Sequence, residues 1–301
     1  MLFRQSGRSL VVQTPAKLNL FLEVLGKRPD GYHELETLMA AVGWYDTLRL
    51  TEADSDRVEF RVRLAGRWHS AAGSGDVPGG EDNLVLRAAR LLQGETGVRR
   101  GARLELWKRI PPASGLAGGS SDAAAALAGL NRVWRLGLSR EALVELAARL
   151  GSDVPFFLAG SPVVICRGRG ERLEPLAVPA NVWFVIGRPA SGLSTAEVYR
   201  HCRPAEHPRT VVRFAESLQR GRLAESAAAL HNALEAPATR LNTEVATLTH
   251  WFRRQPVAGH QMSGSGTACF AVCRTCRQAR RTAVRLAATG LATAVAVRIA
   301  A

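Results

Sequence analysis

The glycine- and serine-rich segment PPASGLAGGSSDAAAAL, residues 111–127, is the feature that most constrains the fold of this chain. Glycine lets a backbone approach a ligand closely, and successive free N–H groups can cradle an anion. The alanine run behind it predicts a helix from about Ser121, whose positive dipole end would face the same anion. The segment therefore predicts a phosphate-binding loop, although a strand-to-helix turn capped by serine has a similar pattern.

Two common phosphate-binding motifs do not match this loop. It lacks the Gly-Lys-Ser/Thr ending of a Walker A motif. Its spacing also differs from the Gly-x-Gly-x-x-Gly of dinucleotide-binding folds, and the strands ahead of it alternate polar and apolar residues as antiparallel strands do. Both halves of the chain mix strand and helix patterns, which indicates an α+β protein. The 301 residues favour two domains.

Local patterns predict several further elements. Residues 9–26 are expected to form extended structure interrupted by Pro15, and the Pro-Asp-Gly of residues 29–31 predicts a turn. The segment GSGDVPGG, residues 73–80, predicts a loop, followed by a helix capped by Asp82 or Asn83.

Four sequence blocks resemble the GHMP kinase superfamily, which includes galactokinase and the homoserine, mevalonate and phosphomevalonate kinases. In chain order they are PAKLNLFLEVLGKRPDGYHEL (residues 15–35), the glycine loop (111–127), GSDVPFF (151–157) and MSGSGTACFAV (262–272). The PDGYHEL part is the most discriminating, and its resemblance indicates a kinase whose alcohol substrate is linked to cytidine diphosphate. Homoserine or mevalonate kinase activity is the nearest alternative, because the glycine loop alone does not exclude it.

This resemblance implies a two-domain GHMP-kinase-like fold. Residues 1–165 would form the ATP-binding domain, with a left-handed βαβ crossover, and residues 166–301 a ferredoxin-like domain. The substrate would lie in the cleft between them. ATP is the expected co-substrate and Mg²⁺ the expected cation, with no prediction of its ligands.

The resemblance also implies a catalytic pair, Lys17 and Asp153. Asp153 would accept the proton of the reacting hydroxyl, with Lys17 beside it. The alternatives are an exposed strand lysine and a turn aspartate. Lys17, Lys27 and Lys108 are the only lysines among 40 basic residues, and the others are arginine. In such a chain a lysine marks a position where the bulkier guanidinium does not fit, with Lys27 in a turn as the alternative of a lysine without a special role.

The remaining candidate residues fall into two groups. Those expected to bind ATP are Asn83 and Lys108 on its nucleoside side, and Pro111, Gly115, Leu116, Ala117, Gly118, Gly119, Ser120 and Ser121 around its phosphates. Those expected to bind the substrate are Asn19, Tyr32, His33 and Tyr199, the aromatic rings lining the cytosine. The simpler interpretations are a helix cap for Asn83, ordinary strand residues for Tyr32 and His33, and a buried aromatic residue for Tyr199.

Three further positions receive an interpretation. Gly264 and Gly266 would shape the floor of the cleft near the phosphates, unless they serve only a hairpin turn. Asp122, behind the loop, is interpreted as a helix-capping residue rather than a catalytic one, because a carboxylate near triphosphate would repel it unless Mg²⁺ intervened.

Composition limits the partners. The net charge of +14 is spread along the chain and aromatic residues are only 6%, so we expect no nucleic-acid partner. No apolar run approaches the roughly 18 residues of a membrane span, and no signal peptide is recognised, which predicts a cytoplasmic protein without a membrane partner. Five scattered cysteines favour a reducing compartment, and the Cys273–Cys276 pair is interpreted as two ordinary cysteines rather than a zinc site.

Overall fold

A computed structural model describes residues 1–65, 77, 79–179 and 181–300. The predicted loop of residues 73–80 lies largely outside the described residues. The described strands are β1 (Leu2–Ser6), β2 (Ser9–Lys27), β3 (His33–Ala53), β4 (Val58–Leu64), β5 (Gly101–Lys108), β6 (Val163–Gly168), β7 (Arg172–Pro175), β8 (Trp183–Arg188), β9 (His231–Asn232), β10 (Gly259–Met262), β11 (Cys269–Cys273) and β12 (Thr293–Arg298).

The described helices connect and cover these strands. They are α1 (Leu84–Thr96), α2 (Gly118–Val133), α3 (Arg140–Leu150), α4 (Thr195–His201), α5 (Val212–Gln219), α6 (Leu223–Ala228), α7 (Glu235–Leu241), α8 (Thr243–Arg253) and α9 (Cys276–Ala288), with a 3-10 turn at Pro155–Leu158. The side chain of Asn83 caps α1 by accepting from the N–H of Val85, as the sequence predicted for this helix start.

A long hairpin of β2 and β3 is the centre of the larger sheet. The path through this sheet is β1-β2-β3-β5-β4, with β6 also on β3, β7 on β6 and β9 on β2. Neighbours are antiparallel except the β4–β5 and β2–β9 pairs, and α1 lies between β4 and β5 in the chain. The hairpin turn contains Gly31 at φ +87°, which agrees with the predicted Pro-Asp-Gly turn.

The predicted interruption at Pro15 is a local irregularity rather than a break. Strand β2 continues from Ser9 to Lys27, and its register with β3 shifts between Pro15 and Ala16. Proline cannot donate a ladder hydrogen bond, so it is tolerated in a strand at such an irregularity. The strand therefore carries its residues beyond Pro15 into the middle of the molecule.

The smaller sheet has the order β10-β11-β8-β12, and all its neighbours are antiparallel. In chain order the unit reads strand β8, helices, strands β10 and β11, helix α9 and strand β12. This order and pairing give the ferredoxin-like arrangement expected for the second domain. Leu18 of the larger sheet and Phe184 and Phe270 of the smaller one belong to the same buried cluster, so the two sheets share a core.

The position of the domain boundary needs revision. The boundary predicted between residues 165 and 166 falls inside β6, which pairs with β3 of the larger sheet. Strand β7 extends that sheet to Pro175, and the first strand of the smaller sheet begins at Trp183. Cutting within β6 would divide one hydrogen-bonded ladder, so we propose the boundary at residues 176–182.

The cysteine pair sits at a strand-to-helix junction. Cys273 ends β11 and Cys276 begins α9, and both are free thiols. Within the described ranges, no cluster of three or more His, Cys, Asp or Glu side chains could hold a metal ion. Among the described helices, none combines the length and the apolar character needed to cross a membrane.

Candidate functional site

A cavity of about 1050 Å³ lies where the glycine loop of the first domain meets helix α4 and the β10–β11 turn of the second. All three lysines of the chain, Lys17, Lys27 and Lys108, line it. The predicted site residues that line it are Lys17, Asn19, Tyr32, His33, Asn83, Lys108, Pro111, Gly115, Ala117, Gly118, Gly119, Ser120, Asp153, Tyr199 and Gly264. Residues far apart in sequence therefore meet at one cavity.

The glycine loop turns into helix α2 through left-handed backbone. Gly115 has φ +75° and Ala117 φ +53°, and α2 begins at Gly118, three residues before the predicted start. A Cβ on Gly115 would lie 2.1 Å from the carbonyl oxygen of Ser263, so no larger residue fits there. The loop is thereby packed against the β10–β11 turn, with the first N–H groups of α2 at the cavity.

The two serines of the loop have different surroundings. Ser120 lines the cavity. The buried hydroxyl of Ser121 instead donates to the carbonyl of Pro15 at 2.6 Å and contacts Thr14. Leu116 is buried in the core shared by the two sheets. Leu116 and Ser121 were predicted as ATP-binding residues, but their side chains hold the loop to strand β2 and its core instead of lining the cavity.

Lys17 and Asp153 meet as the sequence predicted. Lys17 Nζ lies 3.6 Å from Asp153 Oδ2; the lysine side chain is 4% exposed and the aspartate 35%. The N–H of Lys17 donates to the carbonyl of Leu116 at 3.1 Å. A Cβ on Gly264 would lie 3.2 Å from Lys17 Nζ and 3.3 Å from the carbonyl oxygen of Gly115. The ion pair and the phosphate-type loop are therefore immediate neighbours.

Asn19 fixes the position of the Lys17 ammonium. Lys17 Nζ donates to Asn19 Oδ1, and Asn19 Nδ2 donates to Thr37 Oγ1 at 2.9 Å. The Thr37 hydroxyl in turn donates to the carbonyl of Phe21 at 2.6 Å. All three polar side chains are buried. This series of hydrogen bonds orients Lys17 from the side of the sheet. Asp153 is then the more exposed member of the ion pair.

A second ion cluster lies beneath the start of α2. Lys108 Nζ contacts the carboxylates of Asp46 and Asp122, the latter at 2.7 Å, and all three side chains are buried. Asp46 Oδ1 also accepts from the N–H groups of Arg109 and Ile110. The interpretation of Asp122 as a cap is wrong, because α2 has no side-chain cap and the carboxylate points to Lys108.

The charges in this cluster do not cancel. Burial lowers the pKa of Lys108, but the adjacent Asp122 and Asp46 outweigh it, so the net shift is upward. Burial raises the pKa of Asp122 to about 8, against the opposing effect of Lys108. Burial is the main cause of this direction and the charge of Asp46 adds to it, and Asp46 has the two backbone donors that Asp122 lacks. Of the two carboxyls, Asp122 is therefore the one that takes up a proton first as the pH falls.

Four aromatic or cationic side chains form the other end of the cavity. The rings of His33 and Tyr199 are 4.8 Å apart at 31°, and Tyr32 is 51% exposed. The guanidinium of Arg169 lies 4.8 Å from the centre of the Tyr32 ring. Burial, followed by the charge of Lys27, lowers the pKa of His33, and burial raises that of Tyr199. This end is suited to a flat, uncharged ring such as a base.

Comparison with known proteins agrees with this geometry. The family model described as GHMP kinases N terminal domain matches residues 83–161, and the model for the GHMP kinases C terminal matches residues 214–291. The 4-diphosphocytidyl-2-C-methyl-D-erythritol kinase of Pelotomaculum thermopropionicum is 44% identical over 90% of this chain and 91% of its own. The enzyme of the same name from Bacillus subtilis is 40% identical over 87% of each chain.

The chain belongs to the GHMP kinases, in the family of 4-diphosphocytidyl-2-C-methyl-D-erythritol kinases.

Solved structures agree with this GHMP kinase assignment. A crystal structure of a 4-(cytidine 5'-diphospho)-2C-methyl-D-erythritol kinase has a TM-score of 0.79 and 37% identity, and covers 97% of this chain and 99% of its own. A homoserine kinase from Cytophaga hutchinsonii has a TM-score of 0.75 at 19% identity, with 99% and 96% covered. The second likeness shows the fold alone, and the GHMP kinase fold with its N- and C-terminal domains is thereby established.

The oxygen donors of this GHMP kinase fit a nucleotide-bound Mg²⁺. Such an ion is usually held by one or two carboxylates together with substrate phosphates, rather than by a cage of protein ligands. Among the described residues, Asp122 Oδ1 is a buried oxygen without a hydrogen-bond partner, and Asp122 and Ser120 both line the cavity at the glycine loop. A single free carboxylate oxygen beside a phosphate-type loop matches that ligand chemistry.

Three residues of the site were not found from the sequence. Asp46 lies in a strand pattern 62 residues from Lys108, so no local spacing connects them. Thr37 looks like any strand threonine. Arg169 is one arginine among many. The scarcity of lysine gave one indirect signal for Asp46. It singled out Lys108, and a buried ammonium needs a carboxylate partner.

Proposed function

We propose that this chain transfers the γ-phosphoryl group of ATP to the 2-hydroxyl of 4-diphosphocytidyl-2-C-methyl-D-erythritol, with Mg²⁺, in non-mevalonate isoprenoid precursor biosynthesis. The observation that carries the proposal is the Lys17–Asp153 pair, 3.6 Å apart beside the glycine loop, in a cavity whose other end holds the Tyr32 and His33 rings. The residues proposed for phosphoryl transfer and those proposed to hold a base line one cavity, which supports a cytidine-linked alcohol as the substrate.

Asp153 is the proposed general base. Its carboxylate takes the proton of the substrate hydroxyl as that oxygen attacks the γ-phosphorus, and the bond to the bridging oxygen of ADP breaks. Asp153 is the more exposed member of the ion pair, which leaves it accessible to a hydroxyl in the cavity. The Lys17 ammonium, held by Asn19, stabilises the charge on Asp153 and on the phosphoryl oxygens.

The glycine loop is the proposed phosphate site. The N–H groups at the start of α2 and the hydroxyl of Ser120 would bind triphosphate oxygens, supported by the helix dipole. Asp122 Oδ1, once the Asp122 carboxyl has released its proton, and Ser120 would hold the Mg²⁺, which would neutralise phosphate charge there. Asn83 and Lys108 would line the nucleoside side of ATP, and Pro111 would lie near its phosphates; all three line the same cavity.

The cytosine is proposed to bind at Tyr32, His33 and Tyr199. In the structure the His33 and Tyr199 rings lie against each other, and Tyr32 is more than half exposed. A pyrimidine stacking on these rings would bury apolar ring surface and place the diphosphate toward the middle of the cavity. Asn19 would help to hold the alcohol beside Lys17.

Direct substrate comparison tests the proposal. Purified protein with ATP and Mg²⁺ is offered 4-diphosphocytidyl-2-C-methyl-D-erythritol, homoserine, mevalonate and galactose separately, and ADP release is measured. We expect turnover only with the cytidine-linked alcohol, and no release after chelation of Mg²⁺. Comparable turnover of homoserine or mevalonate would overturn the substrate assignment and retain the kinase; ADP release with none of the four would overturn the proposal. The cytoplasm is the proposed location, supported by the five free cysteines.

A further inference from the structure

The turn between β6 and β7 forms part of the cavity wall and has no role in the function proposed above. Its sequence is Arg-Gly-Arg-Gly-Glu, residues 167–171, and Arg169 and Gly170 line the cavity. Arg169 is half-buried. Its guanidinium carbon lies 4.8 Å from the centre of the Tyr32 ring, within the distance of a cation–π contact.

The backbone of this turn is tightly fixed. Gly168 and Gly170 have φ values of +76° and +119°, which disfavour side chains at both positions. A Cβ on Gly170 would lie 2.9 Å from the carbonyl oxygen of Ser152, the neighbour of Asp153. The N–H of Arg169 donates to the Glu171 carboxylate at 2.6 Å. The position of Arg169 is therefore set relative to the proposed general base.

The Tyr32 turn is fixed in the same way. Its N–H donates to Asp30 Oδ1 at 3.1 Å, and Arg28 holds both Asp30 and Glu34. One face of the tyrosine ring is then covered by the guanidinium of Arg169. The contact of Arg169 with the Tyr32 ring joins the two turns and restrains the tyrosine ring.

Arg169 differs from its neighbours in charge pairing. Arg28 pairs with Asp30 and Glu34, Arg167 with Glu36 and Glu174, and Arg172 with Glu34. Within the described part of the chain, Arg169 makes no close ion pair with a carboxylate, although its charge acts on that of Asp30. Its planar fork of N–H donors is the geometry that binds phosphate oxygens with two parallel hydrogen bonds.

We propose that Arg169 determines specificity for the nucleotide part of the substrate, by binding its diphosphate while its flat face holds the Tyr32 ring for stacking. One residue thus links recognition of the base to recognition of the charged linker. This inference rests on the proposed function, because it assumes that the cytidine diphosphate portion lies at this end of the cavity.

Fragment binding separates the two contributions. The dissociation constants of CDP and of cytidine are measured by calorimetry for the wild type and for Arg169→Met, which keeps side-chain length and removes the charge. We expect the affinity for CDP to fall about tenfold or more, as for loss of a charged hydrogen bond. The affinity for cytidine should fall much less. Arg169→Lys, with charge but no planar fork, should recover part of the loss for CDP.

A matched control removes a similar contact elsewhere. Arg132 lies over the ring of Phe3, at 3.8 Å, and neither residue lines the cavity. Arg132→Met should leave both affinities unchanged. Equal losses for CDP and cytidine in Arg169→Met would overturn the diphosphate contact, and unchanged affinities would overturn the whole inference. If Arg169→Met fails to fold, as judged by thermal unfolding, Arg169→Lys decides by the same comparison.

The outcome is independent of the proposed reaction. Wild-type turnover of the cytidine-linked alcohol with unchanged CDP binding in the variants would reject the inference and retain the function. In the variants, the Michaelis constant for that alcohol should rise while kcat and the Michaelis constant for ATP stay near the wild-type values. A fall in kcat alone would place the effect on Asp153, through Ser152, and reject a role in substrate binding.

Discussion

Lys17 and Asp153 form an ion pair of unequal exposure, with a buried ammonium 3.6 Å from a partly exposed carboxylate. The ammonium is also held by Asn19, so its position is defined before any ligand binds. A compact ammonium fits this space, whereas a guanidinium is wider and planar. The relationship therefore makes a sharp prediction about a substitution that keeps the charge.

Lys17→Arg should lower kcat by about 10²-fold or more, because a displaced charge at the reacting group is costly in the transition state. Folding, followed by circular dichroism, and ATP affinity should remain near wild type. Lys27→Arg is the matched control, since Lys27 is exposed on the same cavity. Near-normal turnover by Lys17→Arg would contradict a catalytic role for this lysine.

Asp153→Asn should lower kcat by about 10²–10⁴-fold, as for loss of a general base. The double variant with Lys17→Arg should lose much less than the product of the two single losses, because the pair acts as one unit. Steady-state kinetics of the four proteins measures this coupling. Independent, multiplicative losses would mean that the two residues do not cooperate in the reaction.

Gly118 and Gly119 should respond differently to substitution. From the sequence, a branched side chain at Gly118 is expected to weaken ATP binding in a folded protein. The structure revises this, because a Cβ there would lie 2.6 Å from Lys108 Nζ and 2.9 Å from Ile110 Cγ2. Gly118→Val should therefore lower the melting temperature by disturbing the buried ion cluster.

Gly119→Ala is the better probe of the phosphate site. A Cβ at Gly119 would meet only Leu84, at 3.9 Å, so the protein should fold normally. Gly119 lines the cavity, and the added methyl should weaken ATP binding by obstructing the approach of phosphate to the backbone. Nucleotide titration checks this; unchanged affinity would show that phosphate does not contact this part of the loop.

The buried Lys108 cluster predicts a pH dependence of stability. The pKa of Asp122 is raised by burial, so the folded state binds a proton that the unfolded chain releases. The contribution of this group to stability is present below the unfolded pKa and is lost as pH rises from about 4 to about 8. Relative to wild type, Asp122→Asn should become steadily more stable over that window, as urea unfolding would show.

Asp46→Asn provides the contrasting variant. Asp46 pairs with the same ammonium, but its carboxylate also accepts from the N–H groups of Arg109 and Ile110. Removing the charged partner of a buried pair typically costs about 3–5 kcal/mol, so this variant should be destabilised at both ends of the window.

Parallel pH profiles for wild type and Asp122→Asn would contradict the proposed proton on Asp122.

Tyr32→Leu should raise the Michaelis constant for the cytidine-linked alcohol, with little change in kcat or in the constant for ATP. The expected loss is about 1–3 kcal/mol of binding, the typical contribution of stacking on one base. Tyr32 is half-exposed, so the variant should fold normally. An unchanged constant would place the cytosine elsewhere in the cavity.

The sequence predicts those parts of the site that lie within contiguous blocks. Lys17, Tyr32 and the glycine loop each belong to a block whose local pattern indicates its chemistry. Asp46 and Asp122 were missed or misinterpreted, because their roles arise from contacts with Lys108 that only the folded sheet creates. Local patterns cannot show which strand a carboxylate will face.

The same reasoning explains the predicted features of the fold that were only partly correct. Elements with strong local patterns, such as the α1 cap and the Pro-Asp-Gly turn, appear as predicted. The interruption at Pro15 is a register shift rather than a break, because sheet pairing carries β2 past the proline. The boundary predicted between residues 165 and 166 falls inside β6, because pairing with β3 draws β6 into the larger sheet. Pairing of this kind is set by tertiary contacts.

The location of the three lysines has a practical consequence for spectroscopy. Because Lys17, Lys27 and Lys108 all line the cavity, reductive methylation with ¹³C-formaldehyde would place every side-chain label there. Apart from the amino terminus, the resulting NMR spectrum would contain only resonances from one cavity. Exposed Lys27 should react readily, whereas the buried and ion-paired Lys17 and Lys108 should react slowly. The rate at which each side-chain resonance appears would therefore report the access of reagent, and its change with ligand, at one cavity of a 301-residue protein.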